Sequence, residues 1–265
     1  MQEAHVKSIE CYNTALPLFN PPGRRVSIPY EGKHLYGNLR VPRSGKQEPP
    51  IVILIVGLDS TKEEMFAYES TFLNRGLATF SFDGPGQGEG ESEFSMCPEY
   101  ERPIMAVISK LKAIKDINSE RIGLWGVSMG GYYAPRAAAF CKEVRACIAL
   151  SGPFDLSQCF DALPELTSAA VLHRSGARNE SEIQKFVKRM SLRQIGKQIE
   201  CPLYIVSGAL DRVISPDQGS LLERSARNSP EIIHQIVENG GHVANNVAYT
   251  YRNKSADWMV QKLKP

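Results

Sequence analysis

Gly126-Val127-Ser128-Met129-Gly130 restricts the fold of this chain more than any other segment. The apolar run Arg121-Ile122-Gly123-Leu124-Trp125 leads into it and reads as a strand, and the alanine-rich residues 132–140 after it read as a helix. A serine on so tight a strand-to-helix turn must adopt strained backbone angles while strand and helix crowd its flanks. Small residues two positions before and two after relieve that crowding, which is a steric reason for glycine at 126 and 130. The turn exposes the hydroxyl at its tip and leaves the first amide of the helix free to bind an oxyanion. Ser128 is the candidate nucleophile.

A serine hydroxyl is a weak nucleophile at neutral pH and needs a base, usually a histidine oriented by a carboxylate. A serine on such a strand-to-helix turn resembles the nucleophile of α/β-hydrolases, and that resemblance implies that the acid and then the histidine follow in chain order. Residues 202–208 read as a buried strand, with Asp211 just beyond in Gly208-Ala209-Leu210-Asp211-Arg212. Residues 232–237 form a further apolar segment that ends at Glu238-Asn239-Gly240-Gly241-His242. Both candidates lie past the C-terminal ends of strands, where open α/β sheets place their sites. Among the five histidines, His5 lies near the N-terminus, and His34 and His234 fall inside strands. His173 falls in a long insertion, where it could line a pocket. Only His242 occupies a glycine-rich loop after the last strand, the position a base requires. Asp211 has competitors in Asp155 and Asp161, which follow the strand after the nucleophile.

Two further loops carry signals. Gly57-Leu58-Asp59-Ser60 follows the apolar strand 51–56, where the resemblance to α/β-hydrolases implies the second oxyanion amide; Gly57 permits a tight approach, so that donor is placed on the backbone of Leu58, beside that of Met129. Asp59 or Ser60 is also a natural helix cap there. Asp83-Gly84-Pro85-Gly86-Gln87-Gly88-Glu89-Gly90 invites a dinucleotide reading, but Glu89 and Glu91 stand where the last glycine would be needed and would repel a pyrophosphate. A structural loop beside the nucleophile, organised by Asp83, is the better account.

Strands and helices alternate along the chain. Residues 1–16 read as a helix closed by Pro17, and 25–30 with 34–41 as a hairpin. Strands over 51–56 and 77–82, a helix over 61–74 and another over 104–117 precede the nucleophile. A strand over 146–150 follows, and then 153–198 shows helical stretches without a strong strand. The pattern resumes with the acid strand, a helix near 218–226, the histidine strand and a closing helix. Such alternation implies an α/β fold with a mostly parallel sheet and helices on both faces. With 265 residues the chain can bury one large core.

Interspersed charges summing to only +2 give no basic run suited to nucleic acid or an anionic membrane. The longest apolar run is too short to cross a bilayer, and the first residues lack the basic and apolar regions of a secretory signal. The six cysteines show no Cys-x-x-Cys spacing, a reducing, cytoplasmic pattern rather than a disulfide framework or zinc site.

Together, Gly57-Leu58-Asp59-Ser60-Thr61-Lys62-Glu63-Glu64, Asp83-Gly84-Pro85-Gly86-Gln87-Gly88, Gly126-Val127-Ser128-Met129-Gly130-Gly131, Gly208-Ala209-Leu210-Asp211 and Gly240-Gly241-His242 resemble the α/β-hydrolase superfamily. Within it the first of these segments resembles the branch of 2,6-dihydroxypseudooxynicotine hydrolase, the fermentation-respiration-switch esterases and the fungal polyketide-shortening hydrolases of the yellowish-green pigment type. The resemblance spans residues 5–262. It implies an α/β-hydrolase fold and hydrolysis of a carbon–carbon bond beside a ketone, or of an ester. Relatives in that branch carry a longer N-terminal helical cover, of which 1–22 holds one helix.

The expectation is a serine hydrolase whose core spans 23–152 and 199–265, with a small helical cap over 153–198. Ser128 attacks, His242 acts as base and then acid, and Asp211 orients the imidazole. The substrate is a small aromatic or polyketide-like molecule, and a plain carboxylesterase is the alternative. Cleavage of a carbon–carbon bond expels a carbanion and needs a further proton donor or electron sink. Asp59, Lys62, Asp161 and His173 are the candidate substrate contacts for that role. No metal or organic cofactor, nucleic acid or membrane is expected. A homodimer through residues 18–22 is compatible with the sequence.

Overall fold

The computed structural model describes residues 2–43 and 48–264. Met1, in the helix expected over 1–16, and Pro265, at the end of the expected core, lie outside the described residues. One sheet contains β1 (Gly23–Tyr30), β2 (Lys33–Arg40), β3 (Pro50–Ile55), β4 (Ala78–Asp83), β5 (Asn118–Val127), β6 (Val144–Leu150), β7 (Leu203–Gly208) and β8 (Ile232–Val237). Their spatial order is β1-β2-β4-β3-β5-β6-β7-β8. β2 runs antiparallel to both β1 and β4, and every pairing from β4 to β8 is parallel.

The helices are α1 (Gln2–Ala15), α2 (Phe66–Leu73), α3 (Glu101–Lys112), α4 (Gly130–Phe140), α5 (Glu165–Ser175), α6 (Glu180–Arg189), α7 (Asp217–Ser225) and α8 (Arg252–Lys262). β3 shows why its run is wholly apolar. Ile51, Ile53 and Ile55 enter the core beneath α3, α4 and α7, whereas Val52 and Leu54 pack with Tyr68 and Phe72 of α2 and Trp258 and Met259 of α8. A strand covered on both faces has no solvent side to leave polar. The helix expected over 61–74 divides into a tight turn at Lys62–Met65 and then α2. That expected over 104–117 starts earlier, at Glu101, because Pro103 lies in the first turn, where its missing amide removes no hydrogen bond. All six cysteines are free and four are buried.

Between β6 and β7 the chain leaves the sheet and returns at almost the same place. Leu156 N–H donates to Met190 O at 2.9 Å, and Leu192 N–H donates to Phe154 O at 2.8 Å. The Gln218 carboxamide oxygen of α7 accepts from Phe154 N–H and Asp155 N–H at 2.9 and 3.0 Å, fixing this neck to the core. Beyond the neck, the end of α5 docks where Met96 N–H donates to Arg174 O at 2.8 Å.

Lys62, expected beside Asp59 as a substrate contact, lies sealed beneath its loop instead. Its ammonium is wholly buried and sits 2.9 Å from Asp83 Oδ2, 2.7 Å from Glu63 Oε1 and 2.5 Å from Glu89 Oε2. The three carboxylates are close enough together to hold a cation, and the ammonium supplies it. Burial works against that charge, but the Asp83, Glu63 and Glu89 carboxylates outweigh it and raise the Lys62 pKa. Asp83 Oδ1 also accepts from Lys62 N–H at 2.8 Å, and Oδ2 from Glu89 N–H at 3.1 Å. One buried carboxylate therefore joins the loop after β3 to the loop after β4.

Replacing Lys62 with methionine would leave these carboxylates facing one another without a counter-charge. The expected loss, measured by denaturant unfolding at neutral pH, is about 3–5 kcal/mol, shrinking in acid as the carboxylates protonate. A variant as stable as the parent would refute this account.

Candidate active site

Ser128 stands at the sharp turn between β5 and α4 with φ +54°, a left-handed angle that a non-glycine residue holds only under constraint. The crowding expected of its neighbours is severe. A β-carbon on Gly126 would lie 1.9 Å from Gly130 O, and one on Gly130 would lie 2.2 Å from Ile55 O. Neither position admits alanine without moving backbone.

The three polar side chains expected from sequence meet at the C-terminal edge of the sheet. His242 Nε2 lies 2.9 Å from Ser128 Oγ, and His242 Nδ1 lies 2.9 Å from Asp211 Oδ2. Asp211 Oδ1 accepts from Val213 N–H and Ile214 N–H, each at 2.9 Å. Its side chain has no exposure to solvent. Burial pushes its pKa up, but the hydrogen bond and charge of His242 and the two backbone amides outweigh burial and hold it below the ordinary value. His242 is carried on a strained loop in which Val243 and Ala244 have φ of +52° and +45°. Tyr251 Oη donates to Val243 O at 3.1 Å, and Asn246 Oδ1 accepts from Gly241 N–H at 3.0 Å, which hold the loop in that shape.

Among the described residues neither Leu58 N–H nor Met129 N–H has a hydrogen-bond partner. Gly57 brings the first of these amides to the nucleophile, since a β-carbon there would lie 3.2 Å from Ser128 Cβ. Ser60 does not cap a helix. Its Oγ accepts from Gly57 N–H at 2.9 Å and folds the loop back on itself.

Other candidates are drawn elsewhere. Asp155 caps a short turn through Ser157 N–H and pairs with Arg193 across the neck, so it does not reach the imidazole. Asp161 is exposed. His173 is 79% exposed and faces Glu91 at 3.6 Å, so it points to solvent rather than into a pocket. Asp59 is largely exposed, 3.9 Å from Arg174 Nη1.

A second serine–histidine–carboxylate chain escaped sequence reasoning, because His234 reads there as a strand residue. Ser207 Oγ lies 3.0 Å from His234 Nε2, and His234 Nδ1 lies 3.0 Å from Glu223 Oε2. Ser207 is inside β7, buried, and covered by Gly219, where a β-carbon would lie 2.3 Å from its Oγ. With ordinary strand geometry and no room above the hydroxyl, this chain ties α7 to the sheet edge.

Residues 1–261 match the family described as Esterase FrsA-like. The chain is 33% identical over 263 residues to 2,6-dihydropseudooxynicotine hydrolase of Paenarthrobacter nicotinovorans, covering 99% of this chain and 71% of that one. It is 34% identical over 160 residues to 20-hydroxy-prefusarin hydrolase of Gibberella moniliformis, covering 56% of this chain and 38% of that one. The crystal structure of the 2,6-dihydroxy-pseudo-oxynicotine hydrolase superposes with a TM-score of 0.92 at 32% identity, over 99% of this chain and 74% of that one. The chain thus spans under two-fifths of the fungal protein and about three-quarters of the solved structure.

If Ser128, His242 and Asp211 act as one unit, Ser128→Ala and His242→Ala should each lower kcat by several orders of magnitude, and the double variant should be little worse. Asp211→Asn should lower kcat on the order of 10⁴-fold while the protein stays folded. Because the folded-state pKa of Asp211 lies below its unfolded value, its stabilising contribution is complete above the ordinary carboxylate range and fades as pH falls through the folded value. The stability gap between parent and Asp211→Asn, from denaturant midpoints, should therefore narrow below about pH 4.

Proposed function

Because this chain belongs to the FrsA-like esterase family and has the α/β-hydrolase fold, we propose that it is a serine hydrolase cleaving an acyl bond in a small aromatic or polyketide-like molecule. The bond lies beside a ketone or in an ester. The observation that carries this reading is the Ser128–His242–Asp211 chain of contacts, with Leu58 N–H and Met129 N–H left without partners among the described residues. Ser128 Oγ adds to the substrate carbonyl as its proton passes to His242 Nε2, and Asp211 stabilises the imidazolium that forms. The carbonyl oxygen becomes an oxyanion held by Leu58 N–H and Met129 N–H. Collapse expels the leaving group, which takes the proton from His242, and water then releases the acid by the same steps in reverse.

The likeness over nearly the whole chain to an enzyme named for hydrolysing 2,6-dihydropseudooxynicotine supports a carbonyl attached to an aromatic body. One observation favours the plain carboxylesterase as second reading. Lys62 is sealed among carboxylates and Asp161 and His173 are exposed, so of the four expected proton donors only Asp59 stays beside the oxyanion loop. An alkoxide leaving group needs only His242, whereas a carbanion needs more.

A fluorophosphonate probe should label Ser128 and no other serine, Ser207 included, as read by mass spectrometry of the peptides. A folded, unlabelled protein would favour a binding protein on a hydrolase scaffold. Parallel assays with nitrophenyl esters, β-diketones and acylated polyhydroxyarenes separate the two bond types. Ester turnover alone would leave the carboxylesterase, and diketone or acylarene cleavage would establish the carbon–carbon reaction.

A further inference from the structure

Gln87 lies in the glycine-rich loop after β4 that sequence reasoning treats as purely structural, and the residue is 1% exposed. Its Nε2 donates to Val56 O at 2.8 Å and to Gly57 O at 2.9 Å. Its Oε1 accepts from Gly84 N–H at 3.1 Å and from Tyr100 Oη at 2.6 Å. A carboxamide has two N–H donors and two acceptor positions, and all four are used. Carbonyls can only accept and a backbone amide can only donate, so the orientation of the carboxamide has one solution.

Peptide planarity carries this contact to the reaction. In a trans peptide the C=O and N–H of one unit point in opposite directions. Val56 O held by Gln87 turns Gly57 N–H the other way, where Ser60 Oγ accepts it at 2.9 Å. Gly57 O held by the same nitrogen turns Leu58 N–H away from Gln87, and that amide has no partner among the described residues. One side chain thereby fixes both peptide planes that flank Gly57, beside Ser128 Cβ.

We propose that Gln87 is a positioning residue that aims the Leu58 amide into the oxyanion hole, with Tyr100 aiming Gln87 in turn. This rests on the serine-hydrolase reading above. Gln87 touches no reacting atom. Its effect falls on the transition state, because the Leu58 amide meets a full negative charge only after Ser128 Oγ has bonded to the carbonyl carbon.

Gln87→Glu tests this, since it keeps the shape and places an oxygen against two carbonyl oxygens. With the folded state checked by thermal melting, kcat for a nitrophenyl ester should fall about 10²-fold or more while KM stays within about twofold. Affinity for an aryl trifluoromethyl ketone, whose adduct with Ser128 bears the oxyanion, should fall by the same factor as kcat. Affinity for the unreactive amide of the same shape should not. Tyr100→Phe should give the same pattern at about tenfold, and it decides the matter if Gln87→Glu does not fold. Unchanged kcat, or a fall in kcat without loss of affinity for the trifluoromethyl ketone, would overturn the proposal. A parent protein that the fluorophosphonate does not label would end the serine-hydrolase reading and this inference with it. A labelled parent beside an equally active variant would end this inference alone.

Discussion

The close approach of β5, α4 and the end of β3 is the constraint on which the rest depends. Gly130 faces only backbone atoms of Ile55 and Val56, and Gly126 faces the Gly130 carbonyl and the Ala134 β-carbon, so nothing nearby can yield by changing rotamer. Gly131 and Gly152 extend the same contact toward β6, where a β-carbon on Gly152 would lie 2.1 Å from the Gly131 carbonyl carbon. Only with these four positions bare can the helix start directly against the strand ends. That placement holds Ser128 at a left-handed φ and leaves the Met129 amide without a partner among the described residues. Local strain at one residue is held by packing spread over a sheet whose two faces are both covered.

Much of this was legible in the amino-acid order, for physical reasons. Strand and helix periods differ, so β3, β5, α4 and β7 announce themselves, and a turn that needs bare backbone on both sides of a serine leaves a spaced glycine signature. Asp211 and His242 were found through the chain order implied by the resemblance to α/β-hydrolases, and the structure brings both side chains to Ser128. Helix ends were less legible, as at α3, because Pro103 is compatible with a first turn as well as with a break.

What the order of residues did not carry is side-chain direction across non-local contacts. Lys62 and Asp59 are near neighbours in sequence, yet one is drawn under the loop by Asp83, which lies 21 residues away, and the other stays in solvent. Gln87 looks like an ordinary loop residue until the carbonyls of Val56 and Gly57 are placed above it. His234 and Ser207 form a triad-like chain only because β7 and β8 pair in register. Asp155 and Asp211 both follow strands, and the difference between them lies in what reaches them: Arg193 in one case, His242 in the other.

The neck of the segment between β6 and β7 bears on how such a protein can change. Because the chain departs and re-enters through adjacent hydrogen-bonded residues, 154–156 beside 190–192, the sheet registers only a short gap whatever lies beyond it. Closing a longer excursion costs little additional chain entropy, since that cost grows only logarithmically with length. Sequence drift, insertion or wholesale exchange of the intervening helices can therefore proceed without disturbing the register that brings Ser128, Asp211 and His242 together. Two rates of divergence are expected within one polypeptide: slow for the frame that brings these three side chains together, and fast for the excursion beyond the neck.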